Sequence, residues 1–341
     1  MKRILLLGFD KQQFSHAQME MIRARAGDRQ LLISRERAEI EAALDDIEIV
    51  VGSFPRDLLV DAPNLRWFQQ WGAGADWLMD RPEARTLDFV LTNASGVHVV
   101  PISEHILALL LAFARRLPQA WKAQEERVWI SNRWQTSFGT TIQGKPQFTR
   151  TMAEDDVFEL ADKTLLIVGA GAIGSRTARL AAAFDMRIIG IRRHPQRPAE
   201  NIDLMAGPER LLQLLPLADF VVVSAPFTTA TRQMFDSVAF GAMKAGSYLI
   251  NVGRGGIVDE QALLQALEAG TIAGAGLDVF AEEPLPADSP LWRHPNLILT
   301  SHYSGLTPRY DERALAIFLD NLERYDRGLP LHNIVDKAQG Y

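Results

Sequence analysis

The amino-acid sequence predicts an α/β protein made of two doubly wound domains, each built on a parallel sheet. Its 341 residues exceed what one ordinary hydrophobic core requires, so two domains are expected. Apolar runs of strand length alternate with helix-like stretches along most of the chain, which is typical of βαβ repetition. A glycine-rich turn, Gly169-Ala-Gly171-Ala-Ile-Gly174, joins a buried apolar run to a helical pattern.

Five apolar runs in the first hundred residues predict the strands of a smaller first sheet. Polar or helix-like stretches separate the runs, so a parallel arrangement is the simplest. The runs are Arg3–Phe9, Gln30–Ser34, Ile47–Gly52, Leu65–Trp71 and Phe89–Asn93.

A second glycine-rich turn, Gly72-Ala73-Gly74-Ala75-Asp76, follows the fourth run. It lacks the third glycine of a dinucleotide-binding turn. One interpretation is that its glycines only make a tight turn possible. The other is that its backbone N–H groups bind a small anion such as a carboxylate.

Two stretches between the sheets differ in character. Pro101 to Arg116 predicts a long helix with almost no polar face, which must be buried on several sides. It is a connector between domains, a subunit interface, or both. From Ser131 to Asp156 the apolar periodicity disappears, which predicts an irregular excursion at the surface.

The glycine-rich turn lies inside a complete βαβ pattern, with strands at Thr164–Val168 and Arg187–Ile191. Gly169 permits the sharp turn, Gly171 lets the backbone approach a pyrophosphate, and Gly174 lets helix and strand pack tightly. The N–H groups at the helix N-terminus then face the phosphates. This pattern predicts a dinucleotide site.

The remaining apolar runs extend this unit into a doubly wound sheet. The further predicted strands are Phe220–Ala225, Ser247–Val252, Gly274–Asp278 and Leu297–Thr300. The further predicted helices are Pro208–Leu215, Asp259–Ala269 and Pro308–Arg327.

Composition excludes several classes of function. With 36 basic and 42 acidic residues the formal charge is −6, which argues against nucleic acid and membrane surfaces as partners. The absence of cysteine excludes disulfides and thiolate chemistry, and the sequence suggests no metal site. The N-terminal apolar run meets Gly8 and Asp10 too soon for a signal peptide, and no run approaches the roughly twenty residues of a membrane span. We therefore expect a cytoplasmic protein that binds a small molecule.

Polar residues follow three of the predicted strands, at the edge where open α/β sheets bind ligands. Arg254 lies among glycines and is suited to a bidentate grip on a carboxylate. Asp278 and Glu283 follow the next strand, and His302 follows the last. An acid, a base and an arginine thus converge on one edge.

These residues, in this order, resemble the D-isomer-specific 2-hydroxyacid dehydrogenase family over nearly the whole chain. The resemblance implies a Rossmann NAD(P)-binding domain at residues 101–304, inserted in a smaller flavodoxin-like substrate domain of residues 1–100 plus 305–341. The motifs that carry it are Gly72–Asp76, Asn93–Gly96, Glu104-His105, Gly169–Gly174, Arg254, Glu283-Pro284 and His302.

The resemblance also implies roles for single residues. Arg254 orients the substrate carboxylate and carbonyl, His302 is the acid and base, and Glu283 hydrogen-bonds to His302. Such a pair suits the reduction of a 2-oxo acid, which needs a proton donor that works near neutral pH. The implied substrate-binding residues are Gly72, Ala73 and Gly74. The implied cofactor-binding residues are Gly169, Gly171, Ala172, Ile173, Gly174, Arg192, Arg193, Ser224, Pro226, Thr231, Val252, Gly253, Asp278, Ser304 and Gly305.

One feature of this site admits another interpretation. The turn from Ser224 to Thr231 resembles the family's turn beneath the adenosine half, but threonines that cap a strand-ending turn explain it equally well. Asp278 is expected to accept a hydrogen bond from the nicotinamide carboxamide. Ser301 replaces the family's usual proline, which should loosen the loop, and Tyr303 adds a ring beside the histidine.

The residues after Ile191 bear on the choice of nucleotide. NAD-preferring sites place a carboxylate about 20 residues beyond the glycines, where it binds the ribose 2′-hydroxyl. Here the strand ends in Arg192, Arg193 and, soon after, Arg197. Guanidinium groups form charge-assisted hydrogen bonds with a 2′-phosphate. We therefore expect NADP to be the preferred cofactor, with NAD as the other candidate. The alternative is that these arginines simply face water.

The predicted function is hydride transfer from NAD(P)H to a small 2-oxo acid, of the glyoxylate or hydroxypyruvate type, by a homodimer. Trp71, Trp129, Trp134 and Tyr303 leave open a roomier pocket for an aromatic or branched oxo acid. The alternative from another class is a non-catalytic nucleotide sensor, because the C-terminal-binding corepressors resemble the same scaffold. The acidic, compact chain favours an enzyme.

Overall fold

The computed structural model describes residues 3–132, 149–152, 157–197 and 199–340. The strands are β1 (Ile4–Gly8), β2 (Gln30–Ile33), β3 (Ile47–Gly52), β4 (Trp67–Gln69), β5 (Val90–Thr92), β6 (Trp129–Asn132), β7 (Thr149–Met152), β8 (Thr164–Val168), β9 (Arg187–Ile191), β10 (Leu204–Ala206), β11 (Phe220–Val223), β12 (Tyr248–Asn251), β13 (Gly274–Leu277) and β14 (Leu297–Leu299). The α-helices are α1 (His16–Arg25), α2 (Arg37–Ala43), α3 (Val99–Ala114), α4 (Leu117–Glu126), α5 (Ala172–Ala182), α6 (Leu211–Leu214), α7 (Ser237–Ala242), α8 (Glu260–Glu268) and α9 (Tyr310–Asp326).

The chain forms two compact units. The first comprises Met1–His98 and Leu306–Tyr341, and the second comprises Val99–Gly305. Each unit contains its own parallel sheet, so the predicted fold class is confirmed.

The first unit is built on a five-stranded sheet in the order β2-β1-β3-β4-β5, with every pairing parallel. The five predicted strands are all present, most of them one to three residues shorter than the apolar runs suggested. Every residue of β1 and β3 is buried, as expected of parallel strands covered on both faces. Helix α9 covers one face, where Leu315 and Phe318 pack with Leu5 and Ile49.

The second unit is built on a seven-stranded parallel sheet in the order β10-β9-β8-β11-β12-β13-β14. Successive side chains of β8 point to opposite faces, so Leu165 and Ile167 belong to one core and Leu166 and Val168 to the other. Helices α3 and α5 cover the first core, and α7 and α8 the second. Strand β10 was not predicted, because it is a three-residue edge strand with only its last residue fully buried.

Helix α3 starts at Val99, two residues before the predicted Pro101. Ile106, Leu110 and Phe113 pack within the second unit, against the β8, β11 and β12 side of the sheet. The helix is therefore covered by its own chain, and its apolar character by itself no longer argues for a subunit interface. Among the described residues, none of the helices combines the length and the apolarity that crossing a bilayer requires.

The prediction of an irregular segment from Ser131 to Asp156 is wrong for the residues that form strands β6 and β7. Strands β6 and β7 form a short parallel pair there. The intervening residues, 133–148, and residues 153–156 lie outside the described part of the chain, and Trp134 with them.

Candidate active site

The three glycines of the turn after β8 differ in what surrounds them. Gly169 has a φ of 102°, and a Cβ there would lie 2.4 Å from the backbone N of Ala225. A Cβ on Gly174 would lie 2.6 Å from the Gly169 carbonyl oxygen and 2.9 Å from Ile167 Cγ2. A Cβ on Gly171 would meet no atom within 4 Å. The fold therefore requires Gly169 and Gly174, whereas Gly171 borders open space.

Helix α5 presents its N-terminus at this open space. Gly171 is the N-cap residue and supplies no side-chain hydrogen bond, while its carbonyl accepts from the Ser175 N–H at 2.8 Å. The N–H groups of Ala172, Ile173 and Gly174 lie in the first turn, where no intrahelical acceptor is available. Unpaired N–H groups and the helix dipole together favour a phosphate group. The turn thus fits the pyrophosphate of a dinucleotide.

The neighbouring strands carry the next predicted contacts. Arg192 follows β9, is half-buried, and donates its backbone N–H to Ala206 at 3.1 Å, while Arg193 is exposed. The Ser224 hydroxyl donates to the Gly169 carbonyl at 2.9 Å. Ser224 therefore belongs to the glycine turn as part of its structure.

The threonines after Pro226 form a closed local network. The Thr231 hydroxyl donates to the Pro226 carbonyl at 2.8 Å and accepts from the Thr228 N–H at 2.8 Å. This is the capped turn of the second interpretation. The hydroxyl of Thr231 is engaged in holding the loop, so a contact with adenosine is not needed to explain its presence.

The loop after β12 is built around the fully buried Asn251. Its side chain accepts from the Gly253 N–H and donates to the Arg254 carbonyl, both at 3.1 Å. A Cβ on Gly253 would lie 2.8 Å from the Ala225 carbonyl oxygen, so this backbone, with buried Val252, lies directly beside the loop after β11. The half-buried Arg254 keeps one Nη1 hydrogen bond to the Gly253 carbonyl, at 2.9 Å. Its guanidinium is thereby held at the strand ends.

Glu283 and His302 form the predicted pair. His302 Nδ1 lies 2.6 Å from Glu283 Oε2, and Glu283 Oε1 accepts from the Phe280 N–H at 2.9 Å. An ionised carboxylate only accepts hydrogen bonds, so the Nδ1 atom carries the hydrogen and Nε2 is left for another partner. The His302 side chain is 47% exposed, which leaves it accessible to solvent and to ligands.

Asp278 is completely buried and is committed to the turn that follows β14. Its carboxylate accepts from the N–H groups of Tyr303, at 3.1 Å, and Ser304, at 3.1 and 3.2 Å. Ser304 is buried and Gly305 half-buried beside it. The sequence suggested a contact from Asp278 to a ligand and did not reveal this structural role.

In the first unit, the Gly72–Gly74 loop is held through its carbonyl groups. The Gly72 carbonyl accepts from the Ala94 N–H at 3.1 Å, and the Ala73 carbonyl from Asn93 Nδ2 at 2.7 Å. Gln70 donates to the carbonyls of both Gly72 and Gly74. Within the described residues, no hydrogen bond uses the N–H of Gly72, Ala73 or Gly74 as its donor. This arrangement favours the anion-binding interpretation over the purely steric one.

Gln70 supports this loop, a role that the sequence did not indicate. It lies at the end of an apolar run, where a single amide is an ordinary strand-ending residue. Its Oε1 accepts from Trp77 Nε1 at 2.7 Å, which orients the amide towards the loop. Gln70 and Trp77 are only seven residues apart, but their residue types do not predict this hydrogen bond.

The aromatic residues proposed for a roomier pocket occupy different environments. Trp71 packs edge-to-face on Phe9 and Phe14, and its Nε1 donates to Asp311 Oδ1 at 3.0 Å. Trp71 is therefore part of the packing of the first unit. Trp129 and Tyr303 are 59% and 47% exposed.

Most of the predicted residues of the second unit thus lie in neighbouring loops at the strand ends. The Gly169 turn contacts the Ser224 loop, that loop contacts Gly253, and the next two strand ends carry Asp278, Glu283 and His302. Among the described residues, no three His, Asp or Glu side chains gather in a way that could hold a metal ion. A nucleotide-binding edge next to an acid–base pair is the arrangement that hydride-transfer enzymes need.

Comparison with known proteins agrees with this geometry. Glyoxylate reductase of Aeropyrum pernix is 36% identical over 82% of this chain and 79% of its own. Glyoxylate/hydroxypyruvate reductase B of Yersinia pestis is 35% identical over 87% and 86%. The structure of an NADPH-dependent glyoxylate/hydroxypyruvate reductase from Sinorhizobium meliloti, in complex with NADP and sulfate, matches all of both chains with a TM-score of 0.77 at 26% identity.

A family model identifies the second unit. Residues 107–304 match the model described as D-isomer specific 2-hydroxyacid dehydrogenase, NAD binding domain. The two parallel sheets, the glycine turn and the Glu283–His302 pair agree with that match. The chain therefore belongs to the D-isomer-specific 2-hydroxyacid dehydrogenases, a family of NAD(P)-dependent enzymes with a Rossmann domain.

Proposed function

We propose that this enzyme reduces small 2-oxo acids of the glyoxylate or hydroxypyruvate type to D-2-hydroxy acids, with NADPH as the preferred hydride donor. The observation that carries the proposal is the 2.6 Å contact between His302 and Glu283 at the strand-end edge that also holds the open glycine turn. The names of the Aeropyrum and Yersinia relatives support this substrate class.

A bound reduced nicotinamide nucleotide supplies the hydride for the carbonyl carbon. His302 supplies the proton that the carbonyl oxygen takes up as it gains negative charge. Glu283 accepts from Nδ1, so Nε2 is the nitrogen that gives the proton, and the carboxylate stabilises the charged imidazole before transfer. The exposed ring then regains a proton from water.

Two groups, one in each unit, are each proposed by itself to have affinity for a carboxylate. Arg254 carries planar guanidinium donors that match the two oxygens of a carboxylate. The three consecutive N–H groups of Gly72, Ala73 and Gly74 provide a backbone cradle for an anion. The commitment of Trp71 to the packing of the first unit supports a small substrate over an aromatic one.

The preference for NADP rests on Arg192 and Arg193. They follow β9 directly, at the position where NAD-preferring sites carry a carboxylate. The NADP in the Sinorhizobium complex supports the same choice. We expect a higher kcat/KM with NADPH than with NADH. The double replacement Arg192→Ala with Arg193→Ala should reduce this difference in kcat/KM by raising KM for NADPH. Equal kcat/KM for both nucleotides in the unmodified protein contradicts this part of the proposal.

The experiment that tests the function is an assay of several 2-oxo acids with both reduced nucleotides. Glyoxylate and hydroxypyruvate should be reduced faster, at equal concentration, than phenylpyruvate or a branched-chain oxo acid. A preference for the bulky acids refutes the proposed substrate class. Nucleotide binding without turnover of any 2-oxo acid refutes the enzyme activity and favours the sensor-like alternative.

The homodimer stays a prediction. Sedimentation velocity at micromolar concentration tests it, since a stable dimer persists there. A monomer would agree with the burial of α3 within its own unit.

A further inference from the structure

His105, on helix α3, begins a chain of hydrogen bonds that ends at the turn carrying His302. His105 Nε2 lies 3.1 Å from Thr300 Oγ1, and Thr300 Oγ1 lies 2.6 Å from Asp278 Oδ1. A carboxylate only accepts, so the single hydroxyl hydrogen of Thr300 goes to Asp278. The Thr300 oxygen must then accept from His105, which places a hydrogen on Nε2. The direction of both hydrogen bonds is fixed by the chemistry of Asp278.

The environment of His105 keeps it a neutral donor. Burial lowers the pKa of His105, and the negative charge of Asp278 opposes this shift without cancelling it. The ring of Tyr303 stands edge-on to the imidazole, with the ring centroids 5.8 Å apart. His105 therefore contacts the turn twice, through Thr300 and through Tyr303.

Asp278 in turn holds three consecutive backbone N–H groups. Its carbonyl accepts from His302 at 2.7 Å, and its carboxylate accepts from Tyr303 and Ser304. His302 has a φ of 52°, a left-handed conformation that residues other than glycine adopt infrequently. Such a conformation persists where the surroundings over-determine it. The hydrogen bonds of Asp278 to His302 and to the two residues after it supply that determination.

We propose that Thr300 and His105 are positioning residues, which hold the buried carboxylate of Asp278 so that the turn keeps His302 in place against Glu283. This inference rests on the proposed role of His302 as proton donor. Neither residue is assigned a contact with substrate or nucleotide. Their effect on turnover passes through the backbone of residues 302–304.

The test compares Thr300→Val, which removes the hydroxyl at nearly constant shape, with Thr300→Ser, which retains it. Hydrogen–deuterium exchange of the Tyr303 and Ser304 amides measures the grip of Asp278 without reference to activity. We expect exchange in Thr300→Val to be faster by about tenfold or more and exchange in Thr300→Ser to match the unmodified protein. His105→Phe should act in the same direction, whereas His105→Gln retains an N–H donor and should be milder.

The same variants are then assayed for turnover. Displacement of a catalytic group by about 1 Å costs on the order of 100-fold, so kcat of Thr300→Val should fall by roughly 10- to 100-fold. The fall in kcat should exceed any rise in the dissociation constant for the nucleotide, because Asp278 and Ser304 are themselves implied nucleotide contacts, and Thr300→Ser should recover most of the activity. If serine is as damaging as valine, the hydroxyl relay is refuted.

The two proposals fail in distinguishable ways. Absence of turnover in the unmodified protein refutes the proposed function, while amide exchange still tests the relay. Unchanged exchange of Tyr303 and Ser304 in both Thr300→Val and His105→Phe refutes the relay, whatever the activity. If valine prevents folding, His105→Phe, which leaves the Thr300–Asp278 bond intact, gives the decisive comparison.

Discussion

Alanine replacements at Gly171 and Gly174 should separate nucleotide binding from folding. A Cβ at Gly171 would meet no protein atom within 4 Å, and its φ of −87° is accessible to alanine. We therefore expect Gly171→Ala to change the free energy of unfolding of the free protein by less than about 1 kcal/mol. A pyrophosphate lying over the turn would meet the new methyl group. Strain of about 1–3 kcal/mol then weakens nucleotide binding by roughly 5- to 150-fold.

Gly174→Ala should lower the stability of the free protein, which Gly171→Ala leaves nearly unchanged. Its Cβ would press on the Gly169 carbonyl oxygen at 2.6 Å and on Ile167 at 2.9 Å. Overpacking costs about 1–3 kcal/mol, of which the better helix propensity of alanine returns up to about 1. With that return, the net loss of up to about 2 kcal/mol lowers Tm of the nucleotide-free protein by up to roughly 8 °C.

Gly241→Ala is the matched control, because Gly241 lies in α7 and its Cβ also meets nothing within 4 Å. Thermal unfolding without ligand and fluorescence titration with NADPH measure the two effects. The control should behave as the unmodified protein in both assays. If Gly171→Ala binds NADPH as tightly as Gly241→Ala, the phosphates do not lie over this turn, and the proposed nucleotide site is wrong.

Two further predictions concern Arg254 and Glu48. Arg254→Lys keeps the charge but loses the planar fork, so KM for the 2-oxo acid should rise by roughly 10-fold or more in steady-state assays, and an unchanged KM rules out the bidentate grip. Burial alone would raise the pKa of Glu48, but hydrogen bonding to Arg3 and the charge of Arg29 hold that pKa below its ordinary value. The stability that Glu48 contributes is then fully present above its ordinary pKa of 4.5 and is lost as the pH falls through the lower pKa of the folded state, so Glu48→Gln should cost about 2–4 kcal/mol at pH 7 and much less in acid. Denaturant unfolding at both pH values measures this, and a cost that does not depend on pH contradicts it.

Much of the fold follows from local sequence patterns because parallel strands are buried on both faces. The runs in β1, β8 and β11 are almost entirely apolar, and this pattern alone predicts them. Edge strands lack this signature. Strand β10 has one fully buried residue among three, and its apolar run is too short to indicate it.

Helix α3 shows where an apolar pattern is ambiguous. The sequence establishes that the faces of this helix must be buried, but it does not show which residues bury them. The side chains that do so come from β8, β11 and β12, more than fifty residues away. A subunit interface and an internal core have the same local signature. Tertiary structure decides between them.

In the candidate site too, the sequence indicates some residues and only the structure reveals others. Gly169, Arg254, Glu283 and His302 occupy strand ends, and position alone marks them. The supporting residues Thr300 and His105 act through hydrogen bonds between residues distant in the chain, Gln70 acts within its own loop, and the residue types of all three are ordinary at their positions. Thr231 is a residue that the sequence predicted to bind the cofactor but whose hydroxyl hydrogen-bonds within its own turn.

The most direct test of the account is the turnover of a His302→Asn variant. Asparagine tolerates the left-handed backbone that His302 adopts, so the imidazole is removed with little strain on the turn. If His302 supplies the proton, kcat for glyoxylate with NADPH should fall by about 10²–10⁴-fold, while the dissociation constant for NADPH should change by less than about 2-fold. An unchanged kcat would show that His302 does not supply the proton.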